Sequence, residues 1–69
     1  KRLAVFLLDE LSRVGGDTVR LTQEEIARYL GGARESVTRM LKYFQREGLV
    51  SLVRGGVTVL NRKGLRALL

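Results

Sequence analysis

The chain has 69 residues, 45% of them hydrophobic, and carries 13 Lys and Arg against 7 Asp and Glu, a formal net charge of +6. It is long enough for one domain with a modest core and too short to bury more than about 60% of its unfolded surface. Cys and His are absent, which excludes disulfides, thiolate or imidazole metal sites and any nucleophile–histidine pairing.

The opening segment, about Arg2 to Val14, predicts a helix with Leu3, Leu7, Leu11 and Val14 on one stripe. Its apolar run from Leu3 to Leu8 is bounded by Lys1, Arg2, Asp9 and Glu10. That suits a buried helix better than a signal peptide, and it falls short of the roughly 18–20 apolar residues of a membrane span. Val5 and Leu8 fall outside the stripe. They are either ordinary scattered surface residues or the remains of a contact with a neighbouring domain. The start at Lys1 rather than Met leads us to expect a piece of a longer protein.

After Gly15-Gly16-Asp17-Thr18, the short Val19-Arg20-Leu21 is a strand or an extended lead-in. Thr22-Gln23-Glu24-Glu25 then fits a capping box, with Leu21 and Ile26 at the two staple positions around it. These signals predict a helix over 23–30, buried through Ile26 and Leu30 with help from Ala27 and Tyr29, and ended by Gly31-Gly32. A second helix is predicted over 34–47, with Gly48 just past its end. A short helix, a glycine turn and a longer helix together have helix-turn-helix spacing.

Two runs rich in β-formers, Leu49–Val53 and Val57–Leu60, flank Arg54-Gly55-Gly56 and predict a hairpin over 49–60. The tail from Asn61 to Leu69 suits a short capped helix, against which Gly64 counts. The fold class expected is therefore mainly α with a small β-hairpin wing, a single winged helix-turn-helix domain over 1–69.

The longer helix carries the chemistry. Val37, Met40, Leu41 and Phe44 share one face at i, i+3, i+4, i+7, and Glu35, Arg39, Lys42 and Arg46 lie opposite. Arg34, Ser36 and Thr38 complete its exposed first turns. Such a helix fits a DNA major groove, where arginine pairs with guanine O6 and N7 and glutamate accepts from cytosine N4. The basic balance agrees with a polyanionic partner, and from Arg54 onward there are four basic residues and no acidic one. Any solvated amphipathic helix would show a similar charged face; the capped helix before it and the basic-tipped hairpin after it favour DNA.

The carboxylate pairs Asp9/Glu10 and Glu24/Glu25 are sequence neighbours that do not face each other on a helix, so they read as solvated faces rather than acid/base couples. No enzymatic role and no cofactor follow. Two other partners compete with duplex DNA. A protein-contact module would want an apolar or acidic face on the second helix, a reading that only Tyr43 favours. An RNA module would want exposed aromatics for base stacking, and of the four aromatic residues Phe6 and Phe44 are expected in the core.

The stretch Leu21-Thr22-Gln23-Glu24-Glu25-Ile26-Ala27, then Leu30-Gly31, Arg34-Glu35-Ser36-Val37-Thr38-Arg39-Met40-Leu41 and Gly48-Leu49-Val50, resembles the C-terminal domain of the Crp/Fnr family of regulators. The resemblance covers roughly residues 19 to 60. It implies a cytoplasmic bacterial transcription regulator with an effector-sensing domain and a long dimerisation helix beyond this chain. It also implies a homodimer on two-fold-related duplex DNA, with a contact to RNA polymerase and no membrane. By position, Arg34, Glu35 and Arg39 match base-reading residues, Thr22 and Ser36 match phosphate contacts, and Arg54 belongs to the wing. Thr38 and Lys42, beside them, are taken as further phosphate contacts. Ala33 departs from the family pattern, which has Ser or Thr there. If Ala33 is the N-cap, the helix lacks a side-chain cap worth about 1 kcal/mol, though its free N–H groups still suit a phosphate.

Overall fold

The computed structural model describes residues 2–69; Lys1, at the edge of the first apolar run, lies outside the described residues. Helix α1 spans Arg2–Val14 and buries Leu3, Ala4, Leu7 and Leu11. Val14, expected on that stripe, is 55% exposed. The helix stops there with Gly15 N–H bonded to the Leu11 carbonyl, and the chain turns away before Val14 meets the core. Val5 is exposed as expected, whereas Leu8 packs partly against the core.

Helix α2 spans Gln23–Leu30. Its capping box is complete: Glu25 N–H donates to Thr22 Oγ1 at 3.1 Å, and Thr22 N–H donates to Glu25 Oε1 at 2.8 Å. Gly31 follows in the left-handed conformation, φ 69°, which a residue with a Cβ adopts only at a cost. The bonds Gly31 N–H to Arg28 O and Gly32 N–H to Ala27 O then close the helix end. Ile26 and Ala27 are fully buried and Leu30 half-buried. Tyr29, assigned to the buried face, is instead 68% exposed. It lies at the edge of that face and covers Phe6, ring centroids 5.6 Å apart, which leaves Phe6 half-buried too.

Helix α3 spans Arg34–Arg46, with Glu47 as its C-cap. Gly48 N–H bonds to Gln45 O and Leu49 N–H to Phe44 O, so the two buried residues Phe44 and Leu49 meet where the chain leaves the helix. Val37, Leu41 and Phe44 are buried. Met40 is 37% exposed, at the margin of the apolar stripe.

The sheet has three antiparallel strands in the order β1-β3-β2: β1 Thr18–Val19, β2 Val50–Val53 and β3 Gly56–Val59. The predicted lead-in is thus a strand shifted one residue earlier, with Arg20 and Leu21 outside it. It pairs Thr18 with Thr58 and Val19 with Val57, and the two threonine hydroxyls hydrogen-bond at 2.9 Å. Gly56 belongs to β3, not to the turn, and pairs with Val53. A Cβ there would sit 2.8 Å from the Val19 carbonyl oxygen, so the close pass of β1 requires glycine. The turn itself is Arg54-Gly55.

The tail forms α4, Arg62–Arg66, with Asn61 capping it by accepting from Gly64 N–H at 2.9 Å. Gly64 does not break this helix. A side chain there would run into Leu49 and Asn61, so glycine lets α4 lie close to the start of the wing while Leu65 enters the core. Among the described residues, four helices and a three-stranded sheet with its β2–β3 wing make a winged helix-turn-helix fold.

Candidate nucleic-acid interface

Anchored through Val37, Leu41 and Phe44, α3 turns its other side to solvent. Arg34, Glu35, Ser36, Arg39 and Lys42 are all exposed, and Thr38 is half-buried. Arg34, Glu35, Thr38, Arg39 and Lys42 line one shallow depression. Five of the eight predicted site residues are therefore gathered on one surface. Ser36 lies in the same first turns but faces a second, more apolar depression with Arg2, Leu3, Leu30, Ala33, Val37 and Met40.

Ala33 is the N-cap of α3, φ −77° and ψ 141°, with no side-chain cap bond. Its carbonyl accepts from Ser36 and Val37 N–H. The Arg34 and Glu35 amides ahead of them belong to the unpaired first turn of the helix, where an anion is favoured.

Thr22 sits at the matching start of α2. Its oxygen accepts from Glu25 N–H, and its hydroxyl also bears on the Glu25 carboxylate, so at Thr22 a phosphate would compete with the capping box for that hydrogen. At Thr38 the hydroxyl donates to Gln23 Oε1 at 2.5 Å, tying the first turn of α2 to the middle of α3. A side chain whose hydrogen is already given away cannot also donate it to a phosphate. Arg54 is exposed at the wing turn, ahead of Gly55 with its φ of 72°.

The electrostatics favour an anion. Among the described residues the ion pairs are Arg13–Glu10 at 2.6 Å and Arg62–Asp17 at 3.3 Å. Arg34, Arg39, Lys42 and Arg54 take part in neither, so their charge is not spent on a neighbouring carboxylate. Arg46 lies 6.0 Å from the centre of the exposed Tyr43 ring, which gives that tyrosine a local partner. The Glu25 carboxyl is held below its usual range by the Thr22 backbone N–H and then by the Thr22 hydroxyl. The Glu10 carboxylate, by hydrogen bond and by charge, raises the pKa of Arg13.

Sequence reasoning missed three residues. Gln23 carries no signal of its own, since its partner is fifteen positions away. Arg2 donates to the Leu30 carbonyl at 2.8 Å, placing a cation on the C-terminal end of α2, where the helix dipole favours one. Arg62 bonds the Gly16 carbonyl at 2.5 Å as well as Asp17. It therefore holds α4 to the α1–β1 loop, although the sequence groups it with the basic residues of the C-terminal stretch.

Residues 1–68 match the family model of the Crp-like helix-turn-helix domain. The chain is 34% identical, over 76 aligned residues, to the transcriptional regulatory protein btr of Bordetella pertussis, covering all of this chain and 31% of that protein. Among solved structures it is similar to a transcriptional regulator of the Crp/Fnr family from Eubacterium rectale, with 52% identity, a TM-score of 0.93, and 97% of this chain on 31% of that one. A Crp/Fnr-family regulator from Thermus thermophilus gives 30% identity and a TM-score of 0.87, covering 97% and 38% of the two chains. The catabolite activator protein of the same species gives 35% and 0.85, covering 97% and 32%. The chain thus spans well under half the length of these relatives, all of them regulators or activators rather than enzymes.

Proposed function

The chain belongs to the family of Crp-like helix-turn-helix domains, and we propose that it is the part of a bacterial transcription regulator that reads duplex DNA by sequence. The observation that carries this is the exposed face of α3, where Arg34, Glu35, Arg39 and Lys42 line one depression with no carboxylate paired to the cations. In the major groove Arg34 and Arg39 pair with guanine and Glu35 accepts from cytosine N4. Lys42, Ser36, Thr22 and Arg54 hold phosphates. A free Arg34–Glu35 amide turn supplies a further phosphate site.

In the whole protein the reading extends to a homodimer on half-sites about one helical turn, ~34 Å, apart. Family membership supports this, together with RNA polymerase as a further partner and the cytoplasm as its location. Among the described residues no helix is long and apolar enough to cross a membrane.

Competition between the best duplex and a scrambled one tests the docking. Arg34→Ala and Arg39→Ala each weaken the best site by about 1–3 kcal/mol and random DNA only slightly, flattening preference at a G·C pair. Glu35→Ala relaxes the choice of cytosine. Arg54→Ala weakens all duplexes alike and lowers the salt slope by about one. Uniform losses in the helix variants, with Arg54→Ala alone changing preference, would falsify the docking.

A further inference from the structure

We infer that Gln23 is a specificity-determining residue: it takes the hydroxyl hydrogen of Thr38 and leaves the Thr38 oxygen in the groove as an acceptor only, set to receive an exocyclic amino group, adenine N6 or cytosine N4. This rests on the proposed seat of α3 in the major groove, and it changes the part Thr38 plays there. A phosphate offers acceptors alone, so a hydroxyl with no hydrogen to give has nothing to exchange with it. In the major groove the donors on base edges are the amino groups of adenine and cytosine.

Three observations carry the assignment. Thr38 lines the same depression as Arg34, Glu35, Arg39 and Lys42, so its oxygen stands among the groups proposed to face the bases. The Thr38 hydroxyl lies 2.5 Å from Gln23 Oε1, and an amide oxygen can only accept. In that pairing the hydroxyl is the donor. A threonine inside a helix otherwise tends to donate to the carbonyl four residues back; here Gln23, fixed at the first position of α2 behind the Thr22 cap, draws the hydrogen outward instead.

Selection of bound duplexes from a random pool by the 69-residue chain tests this. The enriched motif is expected to contain one position where a base bearing a major-groove amino group is preferred by about three- to tenfold, the worth of one hydrogen bond. Purine in place of adenine, or 2-pyrimidinone in place of cytosine, at that position tells which amino group is read and abolishes the preference. Thr38→Val and Gln23→Met both lose it while preferences set by Arg34, Glu35 and Arg39 stay. Gln23→Met has no added effect on Thr38→Val. Gln23→Glu keeps an acceptor against the hydroxyl and keeps the preference, even if overall affinity falls, which separates the effect from a loss of folding. If Gln23→Met selects the unchanged motif, or the amino-less analogues bind as well, the inference is overturned while DNA reading stands. If no duplex is enriched, DNA reading itself fails and the inference with it.

Discussion

Ala33 shows how much one side chain can matter at a helix start. It sits at the N-cap of α3 in extended conformation and offers no side-chain acceptor to the amides that follow. Serine fits the same backbone angles and supplies that acceptor. Ala33→Ser is therefore expected to stabilise the fold by about 0.5–1 kcal/mol, seen as a rise of a few degrees, roughly 2–8 °C, in Tm for a domain this size. An unchanged or lower Tm would show that the first turn of α3 is already satisfied in another way. Gly56 and Gly64 make the converse point: there the missing Cβ is what lets Val19 and Leu49 come close, and their place in the sequence between β-formers or inside a helix carries no hint of that.

At the level of the element, α2 is held by local chemistry that is legible before folding. Thr22 and Glu25 cap each other across three residues, and Gly31 closes the other end. The bond to Thr22 lowers the folded pKa of Glu25 relative to about 4.3 in an unfolded chain. Its contribution to stability is therefore complete above that unfolded value and is lost as pH falls through the lower folded value. Melting temperature followed below about pH 5 should drop less steeply in Glu25→Gln than in the parent chain, because glutamine has no proton to take up. Parallel curves for the two would remove Glu25 from the acid response. The wing was less legible in detail. Arg54-Gly55-Gly56 predicts the hairpin, but the pairing of β2 with β3 sets Gly56 opposite Val53 and shortens the turn to Arg54-Gly55.

For the molecule as a whole, the count of 13 Lys and Arg overstates what faces DNA. Arg13 and Arg62 are paired within the fold, and Arg2 is bonded to a helix end. Of the others, Arg34, Arg39, Lys42 and Arg54 are the proposed contact set. At about 0.9 per phosphate neutralised, log K against log salt should fall with a slope between about −2, for Lys42 and Arg54 alone, and about −4 for all four. Binding indifferent to salt would exclude this interface. The sequence by itself determined what acts within a turn or two of chain: the caps, the glycine ends, the two amphipathic helices and the charged face of α3. Those signals lie between residues three or four positions apart, where backbone geometry alone brings partners together. Tertiary structure decided which margins of each stripe stay wet, as at Val14, Tyr29 and Met40. It also decided that Arg62 serves the fold and that Gln23 meets Thr38. Those partners are fifteen to forty-six positions apart, and only the packing of α2 on α3 and of α4 against the α1–β1 loop brings them within reach.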